Sequence, residues 1–288
     1  AGDIASVELQ YGTGGILNQS TEMELDEGYV GYITPDVGNV MLQFKVVATD
    51  QAGVTSESSL FDIPVGSMTE TVSIYDIQTN SSSYVGSVVT VAGVVTIGSG
   101  VTDDSNTRAY IQDQSGRGLN LFAYGLLDPS INRGDSLLVV GIVDQYYTTT
   151  EIVDFNYILE SIGNEIPDPA ALTVSGSMSE DWEGTLLHVS GGELGEIIEQ
   201  TGVFNVPYFS GTDTLFVRVY EETGITQDDF DMQEEYSFIG VGSMYSDDYQ
   251  LILGYQEDII TGSGMFDFAT GLSVSDNLGG VINLSFGS

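Results

Sequence analysis

The stretch Tyr84-Val-Gly-Ser-Val-Val-Thr-Val-Ala-Gly93 returns 98 positions later as Trp182-Glu-Gly-Thr-Leu-Leu-His-Val-Ser-Gly191. Further along, Leu137-Leu-Val-Val-Gly-Ile-Val143 answers to Tyr236-Ser-Phe-Ile-Gly-Val-Gly242, and Tyr146-Tyr-Thr-Thr-Thr-Glu-Ile152 to Asp247-Asp-Tyr-Gln-Leu-Ile252. Self-similarity at a fixed spacing marks a duplicated structural unit. Apolar residues at every second position mark strands with one buried face. The middle of the chain therefore reads as two β-barrels in tandem, over residues 68–163 and 164–262. Pro167 and Pro169 follow Gly163-Asn164 and stiffen the boundary, because proline fixes its local backbone.

Period-two alternation extends over the rest of the chain, broken by Gly, Asn, Asp and Ser clusters every ~8–12 residues, which predicts an all-β protein. Helix is expected only as short turns near residues 126–131 and 226–232. The first unit, residues 1–67, has predicted strands at 7–11, 21–25, 29–33, 41–50 and 58–63.

In the first barrel Tyr75-Asp-Ile-Gln78, residues 88–95, Ala109-Tyr-Ile-Gln-Asp-Gln-Ser-Gly116, Arg133-Gly-Asp135 and residues 146–152 resemble the oligonucleotide/oligosaccharide-binding (OB) fold of secreted bacterial proteins. The second barrel keeps the opening strand and the closing residues 249–260, with a diverged centre. The resemblance spans residues 69–261. It implies a ligand-facing strand carrying Tyr146 and Tyr147, with Tyr110, Phe122 and Tyr124 on the same sheet. Such rings stack on bases or sugars, but binders of nucleic acid add a basic groove. Here the first barrel offers only Arg108, Arg117 and Arg133.

The two ends form a second theme. Residues 29–35 and 40–53 resemble late strands of immunoglobulin-like domains, and Asp3-Ile-Ala-Ser-Val-Glu-Leu-Gln-Tyr-Gly12 an earlier one. Residues 271–286 resemble the first two strands of a fibronectin type III or related domain, broken by Asp276-Asn277 and Gly279-Gly280. A lone strand pair with one apolar face is not independently stable in water. The resemblance implies that Leu272, Val274, Val281, Ile282, Leu284 and Phe286, in the segment 263–288, complete a sandwich whose accepting residues are Ile4, Val7, Leu9, Tyr11, Phe44 and Val46. The completing strands could come from the next subunit, from the same molecule, or from a longer covalent chain.

Composition bounds the function. The 288 residues carry 43 carboxylates against five basic side chains, for a formal charge of −38. Such a surface repels phosphate backbones and other copies of itself. Salt mutes the repulsion, because the Debye length shrinks from ~8 Å at physiological ionic strength to ~3 Å at 1 M. An extracellular or cell-surface location in a saline medium is the matching expectation, with nucleic acid not expected as a partner. Without cysteine there are no disulfides or thiolate sites. No apolar run reaches the ~18 residues of a membrane span. Ala1-Gly2 at the start is what removal of a secretory signal leaves, and what a fragment of a longer protein would also show.

Catalysis is not expected. His188 is the single histidine and lies within an alternating strand, and neither a Gly-x-Ser-x-Gly elbow nor a His-Glu-x-x-His motif is present. The acidic clusters Asp228-Asp229-Asp231, Asp247-Asp248 and Asp103-Asp104 are candidate Ca²⁺ ligands, since that ion takes six to eight oxygens in tolerant geometry. Solvated acidic loops are the favoured reading of each cluster, and calcium is the one cofactor to consider. Two functions follow. One is the structural subunit of an extracellular filament or surface fibre, with copies of itself as partner, polymerising head to tail by donor-strand complementation. The other is a secreted accessory module that binds carbohydrate, nucleic acid or calcium for a larger protein.

Overall fold

A computed structural model describes residues 3–34, 38–67, 70–246 and 248–262, and the backbone of 273–275 and 281–283. The chain is all-β, with one closed five-stranded barrel and a second, curled sheet.

The first barrel is built from β8 (Val88–Ile97), β9 (Thr107–Gln112), β10 (Gly118–Ala123), β11 (Ser136–Tyr146) and β12 (Thr149–Ser161), following the N-terminal strands β1 to β7 given below. They close in the order β10-β12-β11-β8-β9, antiparallel except for β10 and β12. This is the OB order of a five-stranded Greek-key barrel. Two short helices precede it, α1 (Ile74–Thr79) and α2 (Ser81–Tyr84). The Ser73 side chain accepts a hydrogen bond from the Asp76 amide and starts α1. Ile74 and Ile77 are fully buried in the barrel core. Tyr75 to Gln78 therefore form a helical plug, a departure from the predicted all-strand reading. The cap and the Ile74/Ile77 spacing were its signal.

The second unit repeats the plan. After β13 (Ala170–Thr173) and α3 (Val174–Ser177) come β14 (Leu186–Ser190), β15 (Glu193–Leu194), β16 (Ile198–Gln200), β17 (Val203–Ser210), β18 (Asp213–Tyr220), β19 (Tyr236–Tyr245), β20 (Asp248–Ile252) and β21 (Ile259–Thr261). The order β14-β19-β20-β18-β17, with β18 and β20 parallel, matches the first barrel, but β14 and β17 do not pair. Its core is aromatic, with Tyr208 and Phe238 edge to face at 5.1 Å. The repeat recurs in atomic detail. Gly86 and Gly184 both have positive φ, 81° and 68°. Each donates its amide to a carbonyl across the sheet at 2.8 Å, of Val143 and Gly242 respectively. Of the two expected helical turns, residues 227–229 form a 3-10 turn, and no helix forms at 126–131.

Before the barrels lies a five-stranded antiparallel sheet of β1 (Ile4–Thr13), β2 (Ile16–Glu22), β5 (Val40–Asp50), β6 (Thr55–Glu57) and β7 (Phe61–Val65). Between β2 and β5, β3 (Glu24–Leu25) and β4 (Tyr29–Val30) make a separate two-stranded ribbon. The sheet docks on the first barrel through Asn39, whose side-chain oxygen accepts from the Thr90 hydroxyl at 3.0 Å and from the Ser67 amide at 3.1 Å. At the far end of the chain, β22 (Ser273–Ser275) and β23 (Val281–Asn283) pair antiparallel, Val274 opposite Ile282.

The barrels are welded backbone to backbone. A Cβ on Gly118 would stand 1.9 Å from the Gly184 carbonyl oxygen, so only glycine permits this approach. Gly118→Ala forces the strands apart, and overpacking of this kind costs about 1–3 kcal/mol. Urea denaturation is expected to show that loss. An unchanged midpoint would mean that the barrels do not touch there.

Candidate strand-binding groove and the barrel junction

One face of the N-terminal sheet is apolar and only partly covered. Cross-strand register places Leu9 opposite Val46, Tyr11 opposite Phe44, and Leu42 opposite Ile63, so these side chains share a face. On the other face Gln10 lies opposite Lys45, Gln43 bonds Asp62 at 2.7 Å, and Lys45 pairs with Glu57 at 2.7 Å. A sheet of this pattern is built to pack against a second layer. Among the described residues the layer over it is the β3–β4 ribbon and its continuation. The result is a groove of about 550 Å³ lined by Leu9, Met23, Tyr29, Val30, Gly31, Ile33, Leu42, Phe44, Val46, Ile63 and Val65. The three clusters of buried apolar side chains lie in the barrels, and among the described residues of the N-terminal sheet the buried aliphatic side chains are Val7, Leu9, Leu42 and Val47. Of the lining, Tyr29 and Val30 on the ribbon are 37% and 40% exposed and Phe44, Val46, Ile63 and Val65 are half-buried, whereas Leu9 and Leu42 at the groove floor are already covered.

Of the predicted accepting residues, Leu9, Phe44 and Val46 line this groove, while Val7 and Tyr11 share their alternation class on β1. Ile4 does not belong: it is half exposed at the strand's outer end, opposite Asp50. Leu42, Ile63 and Val65 were missed as groove residues, although alternation along β5 and β7 carried the signal. Of the predicted completing residues, Leu272, Leu284 and Phe286 lie outside the described residues. Val281 is opposite Ser275, one register step from the Val274–Ile282 pair, so it falls in the other alternation class.

The second notable region is the junction of the barrels. Ile97 and Tyr110 of the first barrel pack with Leu186, Val241 and Ile252 of the second. Tyr110 is 5% exposed and so faces this junction, which corrects its assignment as a ligand-facing ring. Tyr146 and Tyr147 do face solvent, edge to face at 4.7 Å on the β11–β12 turn, where Tyr147 has φ 54°.

Three of the five basic side chains close the junction. Arg108 reaches the Tyr220 hydroxyl at 3.5 Å, and Arg117 lies over Trp182 and pairs with Asp181 at 3.4 Å. Arg133 binds Asp258 at 2.9 Å and lies 4.5 Å over Tyr255. Backbone bonds reinforce them: the Leu186 amide donates to the Gln112 side chain at 2.8 Å, and the Thr150 amide to Glu183 at 2.5 Å.

Burial drives the Glu183 carboxyl up to about 8, and the nearby Glu180 and Glu151 carboxylates add to the rise against the opposing Thr150 bond. Burial likewise lifts Asp258 to about 6, although Arg133 holds it down. The single histidine, His188, is half-buried and contacts the Ser237 hydroxyl at 3.0 Å, and burial lowers its pKa. It has no carboxylate partner suited to a triad among the bonds described.

The acidic clusters do not assemble. Among the described residues no three His, Cys, Asp or Glu side chains converge as a metal site. Asp229 caps its own turn by accepting from the Thr226 amide at 2.7 Å, and Asp228 sits in that turn. Asp231 accepts from the Gln233 amide at 2.9 Å. Asp103 folds its loop by accepting from the Ser105 and Asn106 amides, and Asp104 accepts from the Ser105 hydroxyl. Short acidic side chains bond nearby backbone in this way throughout turns. Asp248 opens β20 in solvent, and Asp247 lies outside the described residues.

No family model and no curated protein matches this chain. Solved structures similar to it include a murine DNA binding protein bound with double-stranded DNA, at 10% identity and TM-score 0.33 over 60% of this chain and 97% of that one. A second is the p204 HINb domain, at 12% identity and TM-score 0.27 over 51% and 80%. A third is described as the molecular basis for abrogation of activation of pro-inflammatory cytokines, at 11%, 0.28, and 62% and 93%. On these findings several expectations are corrected. One of these structures is described as a DNA binding protein with its DNA and none as a filament or surface fibre, so the expectations of a filament subunit, of copies of itself as partner, of no nucleic acid, and of an extracellular or cell-surface setting are withdrawn. Likenesses this remote do not transfer a ligand to this chain.

The raised Glu183 pKa gives a signed prediction. A carboxyl that holds its proton more tightly when folded contributes stability that is fully present below its ordinary value of 4.5 and lost as pH rises through about 8. Glu183→Gln is expected to flatten the melting temperature across that window relative to the parent chain, and to melt higher than the parent at pH 9. Parallel pH profiles for the two proteins would refute the assignment.

Proposed function

We propose that this chain is a protein-interaction module that takes amphipathic β-strands onto the bare apolar face of its N-terminal sheet, with the welded barrels as a rigid mount. The observation that carries this reading is the uncovered groove between β1, β5, β7 and the β3–β4 ribbon. A covering pair of strands would turn the sheet into a two-layer sandwich of immunoglobulin-like or fibronectin type III-like kind. Catalysis has no part in this reading.

Burying about four apolar side chains at ~1.5–3 kcal/mol each yields a gross gain on the order of 10 kcal/mol. Losses of rotational freedom and side-chain ordering offset part of it. Micromolar affinity, about −8 kcal/mol, is the expected net result. The test is peptide display against the full chain carrying Ile282→Asp and Leu284→Asp, which removes its own apolar tail from competition. Selected peptides are expected to alternate apolar and polar residues, and Phe44→Asp in the groove to weaken them at least ~10-fold, about 1.4 kcal/mol. Gln10→Glu on the polar face should leave them unchanged. Enrichment of no strand-like peptide, or binding that survives Phe44→Asp, would overturn the proposal.

A further inference from the structure

Resting on the strand-binding reading of the groove, we infer that its resident occupant is the chain's own C-terminal hairpin, β22–β23, laid over the apolar face within one molecule as a second layer beside the β3–β4 ribbon. Three observations lead there.

The first is pattern. The hairpin register sets Val274 opposite Ile282. In the sequence Leu272 stands two positions before Val274, and Leu284 and Phe286 stand two and four positions after Ile282. At that spacing five apolar residues alternate with Ser273, Ser275, Asn283 and Ser285, Val281 being the exception. The groove presents a complementary stripe of Leu9, Leu42, Phe44 and Val46. Stacked sheets need no hydrogen bonds between layers, so β22–β23 can pair only with each other, as the described strands do.

The second is charge. In a chain of net charge −38, Asp276 is the single ionisable side chain after Asp267. The tail is thus the segment least repelled by an acidic body and least costly to bury.

The third is tethering. Residues 263–271 separate the tail from the described end of the second barrel and can span ~30 Å. A short tether supplies an effective concentration in the millimolar range when it spans the gap. A second copy brings its own −38 charge and has no such advantage at micromolar protein.

The absence of cysteine makes the test direct, since two introduced thiols are the only ones present. Full-length chains carrying Val46→Cys with Ile282→Cys are treated with a bismaleimide spanning about 10 Å, the usual separation of stacked sheets. Circular dichroism before treatment shows that the fold is intact. The expected product is an internally linked monomer, formed in the same yield from 1 to 100 µM and at least tenfold more abundant than with Gln10→Cys and Ile282→Cys. Equal yields for the two pairs, or products found only as linked dimers and ladders, would overturn the inference. If selected peptides bind the groove while the Val46–Ile282 link does not form, the groove keeps its role and the tail loses its own.

Discussion

A sheet with one apolar face must be covered, and in this molecule the cover is incomplete. Leu9, Leu42, Phe44 and Val46 stand on adjacent strands; Leu9 and Leu42 are already buried, while Phe44 and Val46 stay half-buried and gain most when another layer excludes water from them. Both barrels solve the same problem internally. Their strands curl around Ile74 and Ile77, or around Tyr208 and Phe238, and leave those side chains without solvent contact. The contrast between two filled cores and one bare face gives the molecule its functional direction.

The barrels explain why that face is held in place. The Gly118–Gly184 contact, the Tyr110–Leu186 packing and the bridging arginines join the two repeats into one body, and Asn39 fixes the N-terminal sheet to it. The junction also has a chemical character of its own. It gathers Arg108, Arg117 and Arg133 from a chain with only five basic residues, and it holds Glu183 where burial favours the protonated form. Electrostatics that would otherwise be diffuse are concentrated along one seam.

Much of this architecture is legible in the sequence. The 98-residue repeat gave both barrels because each hydrogen-bonded turn reuses a glycine at the same place, Gly86 and then Gly184. Alternation places the strands at 7–11 and 41–50 and with them Leu9, Phe44 and Val46, but the expected strand 21–25 straddles the end of β2 and β3, and 58–63 straddles the gap before β7. What alternation hides is partnership between distant segments. Tyr110 lies in an alternating strand and resembles a ligand-facing ring, yet the neighbouring barrel covers it. The same applies to Asp103, Asp229 and Asp231, whose clustering suggested a cation but whose carboxylates are engaged by amides two or three residues away. The helical plug at Ile74 and Ile77 was missed because its six residues are too few for a 3.6-residue period to stand out.

The most direct test is methyl NMR of the chain bearing Ile282→Asp and Leu284→Asp, titrated with an alternating apolar strand peptide. The account predicts saturable shifts at the methyl groups of Leu9, Leu42, Val46, Ile63 and Val65, with the barrel cores unmoved. Shifts centred on the barrels, or no saturable change at the groove methyls, would contradict it.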